Sequence, residues 1–226
     1  IRMNGGFYTQ AAMFGGKWFA GLYSVVFVSY FFGATMYSAS FADYVLSAFP
    51  EIDGKWVAFG ILTVFVLLNL VGIQVAAKVQ YALVIILVIA LILFAGFGFI
   101  HLEPNYFDEN QFVLNGFTGI MSAAALLSMA TSGATFIINM SREAKNPKKD
   151  IPFCIVAGTI IVTLLYIGVG VAAAGVFPVE EVAGQNLSAV AKEIFPTPLY
   201  IFFIVGGAMI ALVTSLNANL GWLQAP

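Results

Sequence analysis

Charge is what this sequence has least of. Lys and Arg number nine and Asp and Glu eleven in 226 residues, 9% in all, where a water-facing domain carries about 25%. A hydrated surface cannot be built from so few charges, which excludes a soluble globular enzyme. Cysteine occurs once, as Cys154, so neither a disulfide framework nor a Cys-based metal site is possible. Histidine also occurs once. His101 stands beside the acidic segment Glu103 to Glu109 with no second metal donor nearby, and it reads as an interfacial residue rather than a ligand. A basic tract is missing too, the net charge being −2, so no nucleic-acid partner is expected. A secretory signal is not recognisable in the polar, glycine-rich start Ile1 to Gly6. Because the chain opens on Ile1 and closes on Pro226 straight after an apolar run, it is expected to be a piece of something longer.

Apolar residues fill the space that charge leaves: 61% of the chain is hydrophobic and 15% aromatic. Six stretches contain neither charge nor histidine, namely 18–42, 56–77, 79–100, 110–141, 151–179 and 194–226. Each exceeds the roughly 20 residues that a helix rising 1.5 Å per residue needs to cross about 30 Å of hydrocarbon. The expectation is an all-α, polytopic membrane bundle in a single transmembrane domain over residues 1–226, with spans at about 18–48, 56–76, 79–101, 115–141, 152–177 and 197–224.

The few charges are sorted by side. With the N-terminal loop in the cytoplasm, the inner loops hold Arg2, Lys17, Lys78, Arg142, Lys145, Lys148 and Lys149, 7 of the 9 basic residues. The outer side holds Asp43, Glu51, Asp53, Glu103, Asp108, Glu109, Glu180, Glu181 and Glu193, offset only by Lys55 and Lys192. This is the positive-inside pattern, and it places both ends in the cytoplasm.

The spans also differ in texture. Val79 to Ile100 is nearly all Leu, Ile, Val and Ala, a helix that can face lipid over most of its circumference. The first span carries Tyr30, Gly33, Ala34 and Tyr37 at spacings of three and four, a stripe of two phenols and two small residues. Small-residue packing explains such a stripe, and so does a polar pocket, since deep tyrosines need hydrogen-bond partners. In the fourth span, Met129-Ala-Thr-Ser132-Gly133-Ala134-Thr135 interrupts an apolar run with hydroxyls around a glycine. It fits either a packing seam or a broken helix whose freed backbone groups meet a ligand's charges at mid-membrane. Outside, Leu187, Val190, Ala191, Ile194 and Phe195 recur at helical spacing, which predicts a short amphipathic helix over 186–195. Inside, Arg142 to Pro152 is the densest charge cluster. Its lysines suit lipid head groups, Asp150 suits an N-cap, and Pro152 suits the first turn of the next helix.

Several of these runs carry a resemblance. Gly116-Phe-Thr-Gly119-Ile120, the Ser-Gly span after it, and then Glu143-Ala-Lys-Asn-Pro-Lys-Lys-Asp-Ile-Pro152 resemble the sixth helix and following loop of the amino acid–polyamine–organocation permeases. Asn69 to Gln80 is similar to that superfamily's loop between helices four and five, Asn4-Gly-Gly6-Phe-Tyr8 to the start of its helix three, and Thr214-Ser-Leu-Asn-Ala-Asn219 to its helix eight. The resemblance covers essentially the whole chain and equates the six spans with family helices three to eight. It implies a five-plus-five inverted-repeat, leucine-transporter-type fold with a substrate site at mid-membrane, and it implies that the chain alone, lacking helices one and two and those after eight, does not transport.

Position by position, the resemblance assigns the unwound substrate-binding segment to Ser132, Gly133, Ala134 and Thr135. Met129 falls where relatives place an aromatic gate, Tyr30, Ala34 and Tyr37 line the pocket from helix three, and Asn217 or Asn219 lines it from helix eight. The position of a coupling lysine is taken by Leu87, so that device is absent. Thr214 and Ser215 supply the hydroxyl pair that sodium-coupled members use, and a hard cation accepts such oxygens; equally, the two hydroxyls can bond their own helix. The implied function is secondary transport of amino acids or related small amines by alternating access, with a small neutral amino acid favoured, sodium as the coupling ion, and no other cofactor. The expected location is a plasma or bacterial inner membrane, with the lipid bilayer as the other partner and nothing that specifies an oligomer. The alternative is a structural or assembly subunit of a membrane complex. An intramembrane enzyme fits worst, because the spans contain no carboxylate pair, His–Ser pair or metal cluster.

Overall fold

The computed structural model describes residues 6–29, 31–107, 115–131, 133, 137, 144–178, 181 and 187–223. Among these the regular structure is helical, without a strand. The helices are α1 (Gly6–Ser29), α2 (Phe31–Ala48), α3 (Gly54–Val71), α4 (Ile73–Ile100), α5 (Gly116–Thr131), α6 (Pro147–Gly175), α7 (Leu187–Ile194), α8 (Thr197–Phe202) and α9 (Ile210–Leu223), the last two joined through a π-helical segment at Phe203–Met209. Four described stretches are long and apolar enough to cross a membrane: Gly54–Val71, Gln74–Ile100, Pro147–Gly175 and Thr197–Gly221. Gly116–Ala125 is apolar but shorter. Large apolar side chains such as Trp18, Phe14 and Phe117 point outward, 94%, 91% and 74% exposed, which in hydrocarbon is an ordinary lipid-facing surface.

Glycines set the boundaries that hydropathy leaves open. Gly16, at φ 76, ψ 177, kinks α1 ahead of the first apolar run. Gly72, at φ 142, ψ 147, ends α3 inside the second apolar run, and α4 starts one residue later, so Lys78 lies on a helix and not in a loop. Both conformations lie where a side chain is strained. At the other end of α3, Asp53 accepts a hydrogen bond from the Lys55 amide at 3.0 Å, a cap that fixes the turn from α2. α6 begins at Pro147, three residues before Asp150. Asp150 is therefore not the N-cap that the sequence suggests; it sits in the first turn, where its charge suits the positive end of the helix dipole, and proline opens the helix because the first amide needs no partner.

The described residues form two compact units. The first comprises Ile1–Leu87, Ile138–Pro147 and Val205–Pro226. In it α2, α3 and α9 pack on one another around Ala34, Phe65, Val213 and Leu216, with Tyr37, Phe41 and Leu220 at the margin. The second comprises Val88–Ile137 and Lys148–Ile204. There Ala90, Phe94 and Gly98 recur every four residues on one face of α4. Ala90 and Phe94 join Val169 and Ala172 of α6 in the buried core, and a Cβ on Gly98 would collide with Ala172, so the two backbones touch. The face of α4 that the sequence assigns to lipid is thus partly a packing face. Val190, Ala191 and Ile194 of α7 close the same core. Phe94 is its centre, stacked on Phe203 (centroids 4.8 Å apart) and met edge-on by Phe195 at 6.2 Å.

Beyond α4 the chain folds back on α6. The Glu103 amide donates to the Gly175 carbonyl at 2.8 Å, and Leu102 and Tyr106 cover Gly175. Burial raises the Tyr106 phenol above its ordinary pKa of 10.0. His101 holds Nδ1 2.8 Å from the Phe97 carbonyl at the end of α4 and is exposed.

Candidate functional site

The stripe on α2 and the polar face of α9 meet within the first unit. Ala34 is buried at 7% exposure, with Tyr37 at the edge of its cluster. Between them, a Cβ on Gly33 would lie 3.1 Å from Nδ2 of Asn219 and 3.7 Å from the Tyr37 ring. Glycine at 33 therefore lets the Asn219 amide rest against the α2 backbone. Asn219 is buried and engaged, while its Oδ1 is buried without a donor on it. An aromatic ring, a primary amide and a backbone laid bare by glycine thus meet beside the apolar cluster, where the amide can hydrogen-bond a small polar ligand.

Asn217 is placed differently. Its Oδ1 accepts from Nδ2 of Asn69 on α3 at 2.9 Å, and its own Nδ2 donates to Oε1 of Gln80 at 2.8 Å and to the Ala76 carbonyl at 3.2 Å, both on α4. Asn69 also donates to the Phe65 carbonyl at 2.9 Å. Both amide hydrogens and the carbonyl of Asn217 are committed to protein, so of the two asparagines that the sequence offers, Asn219 is the one beside the α2 stripe. Asn69 and Gln80 are functional candidates that sequence reasoning passes over. Their signal is that they bound the stretch Asn69 to Gln80 that carries part of the family resemblance, which assigns neither amide a role.

Thr214 is 6% exposed and donates to the Ala211 carbonyl at 2.9 Å; Ser215 donates to the same carbonyl at 2.9 Å. Both bond their own helix, and each oxygen keeps lone pairs that a hard cation accepts. Among the described residues no group of three or more His, Cys, Asp or Glu side chains could hold a metal ion. Leu87 lies on α4 within an apolar run.

The remaining candidates belong to the Ser-Gly segment. α5 extends to Thr131. Gly133 is exposed, and a Cβ there would meet nothing within 4 Å. Tyr30, Ser132, Ala134 and Thr135 lie outside the described residues, as does the side chain of Met129. Gly133 falls in the second unit, whereas Ala34, Tyr37, Asn217 and Asn219 fall in the first.

Comparison with known proteins adds a whole-chain relationship. The family model described as "Amino acid permease" matches residues 1–225. An uncharacterised protein of Methanocaldococcus jannaschii is 28% identical over 205 residues, 87% of this chain and 46% of its own length. The branched-chain amino acid permease of Bacillus subtilis is 32% identical over 129 residues, 57% of this chain and 27% of its own. The aspartate-proton symporter of the same bacterium is 28% identical over 174 residues, 76% of this chain and 33% of its own. The chain thus spans less than half the length of each of these relatives.

Proposed function

Because the chain belongs to the amino acid permease family, a family of transporters and not of enzymes, we propose that it is part of a secondary transporter moving amino acids or related small amines by alternating access. The observation that carries this reading is the continuity of the family match along residues 1–225. Two relatives are named for substrates of opposite character, a branched-chain amino acid and aspartate. What those substrates share is the α-amino and α-carboxylate pair, so the common recognition is of that pair. The resemblance assigns this role to the backbone around Ser132 to Thr135; within the first unit, Tyr37 and Asn219 stand as candidates by the same resemblance. The small residues at 132–135 favour a small neutral side chain in this protein.

The chain is an integral membrane protein, and the sidedness proposed puts residues 142–152 in the cytoplasm. Cysteine labelling at Lys148 and Glu109 is expected to report opposite faces, and same-side labelling would overturn it. The coupling ion proposed is sodium, with Thr214 and Ser215 giving two oxygens to a shell that other helices complete. One relative is named a proton symporter, so the test compares both ions. Uptake of a panel of radiolabelled amino acids is measured in proteoliposomes of the permease that carries this chain, with sodium or choline and with or without a proton gradient. A sodium requirement that rises in Thr214→Val and Ser215→Ala supports the reading; equal uptake in choline rejects it. Gly133→Leu is expected to abolish substrate binding, because its side chain would fill the space where backbone meets ligand, and to leave expression unchanged, because a Cβ there meets nothing within 4 Å. Uptake of no amino acid by the parent would overturn the transporter reading itself.

A further inference from the structure

The joint between α3 and α4 is a single residue, Gly72, whose φ of 142 and ψ of 147 belong to no helix. Nothing in a glycine fixes such an angle, since neighbouring conformations cost it little. At the joint the amides of Val75 and Ala76 donate to the Gly72 carbonyl at 3.0 and 3.2 Å, bonds that start α4. The angle between two apolar helices meeting at such a joint must be set from outside the joint. A side chain of α9 hydrogen-bonds both arms. Asn217, 148 residues from Asn69 and 137 from Gln80, accepts from the arm before the glycine and donates twice to the arm after it.

Packing alone would not require amides at these positions. In hydrocarbon, helices associate by close contact, and an interhelical hydrogen bond adds little stability, because amides find partners in the unassembled state too. Apolar side chains of similar volume can fill such a site about as stably. A bond between planar amides adds direction: donor and acceptor must line up, so the three-way contact is made at one elbow angle and lost at others. Asn69 and Asn217 are each 4% exposed, so water does not replace the bonds when they break.

We propose that Asn217 is a positioning residue that latches the Gly72 elbow, holding α3 and α4 at a fixed angle through Asn69 and Gln80, and that transport requires this latch to set the angle of α4. This rests on the transporter reading above. Asn217 then acts through α4, not by touching the substrate. Loss of the latch slows the conformational step while leaving the substrate's immediate contacts in place.

The test is made on the permease that carries this chain, in nanodiscs, with exposed Cys154 replaced by serine. Spin labels go on the lipid-facing residues Val64 of α3 and Tyr81 of α4, which are 57% and 71% exposed. The parent is expected to give one narrow label-to-label distance. Asn217→Leu is expected to broaden it or add a second, and Gln80→Leu, which removes one of the two bonds to α4, to broaden it less. Maximal uptake in Asn217→Leu should fall about tenfold, the equivalent of about one net hydrogen bond, with half-saturation changed less than about twofold. An unchanged narrow distance in both variants overturns the proposal, as does a rise in half-saturation with maximal uptake preserved. Gln80→Leu keeps the test decisive if Asn217→Leu does not fold. A parent that transports nothing defeats the transporter reading, while the distances still decide whether the latch exists.

Discussion

Beside apolar packing, a different chemistry stands out within each of the two units. The first joins helices distant in sequence through amides: Asn69, Gln80 and Asn217 form a chain of bonds of 2.8 to 3.2 Å. The second is joined through aromatic carbon, with Phe94 buried among Phe195, Phe203, Val190 and Ile194. Aromatic packing is strong and tolerant of angle, because many weak contacts sum over a broad surface. Amide bonding is weaker in net energy and exacting in angle. The difference separates what stabilises a membrane helix bundle from what fixes its geometry.

The comparison fails first, if it fails, at Phe94. Truncation to alanine leaves a void at the centre of the second unit and is expected to cost about 3–5 kcal/mol, read as a fall in the unfolding midpoint of the purified protein. If Phe94→Ala is no worse than Asn217→Leu, the aromatic cluster is not the stronger joint. For Asn217→Leu the expected cost is about 1–2 kcal/mol, because Asn69 is left with only its bond to the Phe65 carbonyl and Oε1 of Gln80 loses a donor in an apolar setting. Replacing all three amides by leucine sharpens the contrast. The triple variant is expected to recover to within about 1 kcal/mol of the parent, since no orphaned polar group remains, yet to keep the broadened Val64–Tyr81 distance. A triple variant less stable than the single one would show that the amides stabilise as well as orient.

The smallest effect sits at the edge of the second unit. Folding raises the Tyr106 phenol above 10.0 through burial. A raised pKa means that the folded state favours the protonated form, so this contribution is complete below pH 10 and is lost as pH rises through the folded value. Unfolding midpoints measured between pH 8 and 11 are expected to fall less steeply in Tyr106→Phe than in the parent. Parallel curves would remove Tyr106 from the account.

Hydropathy made the membrane helices legible, because a helix such as Ile73–Ile100 is uncharged over the 22 residues 79–100 and leaves a long record in the sequence. The periodic Val190, Ala191 and Ile194 lie on the buried side of Leu187–Ile194 for the same kind of reason: a short helix needs one apolar face. The breaks were harder to read. Gly16 and Gly72 take conformations that only their own φ reveals, and neither differs in the sequence from Gly60 or Gly96, which sit inside helices. The amide network was hidden more deeply, since nothing near Asn69 announces a partner 148 residues away. Of the residues assigned by resemblance, Ala34, Tyr37 and Asn219 come together because helix period aligns Gly33 and Tyr37 on one side of α2. Tyr30, Ser132, Ala134 and Thr135 lie outside the described residues.

The π-helical segment Phe203–Met209 bears on how the last long helix reaches its partners. A π turn holds more residues than an α turn of the same helix, and each extra residue rotates everything after it by about 100° about the axis. Phe203, at its start, belongs to the aromatic cluster, while Val213 and Leu216 beyond it belong to the cluster around Ala34 and Phe65. Trimming the segment by one residue would leave length and hydropathy almost untouched yet shift the phase of Val213, Leu216 and Asn217 by about 100° against the residues before it in the same helix, so in this helix residue count matters as much as residue identity.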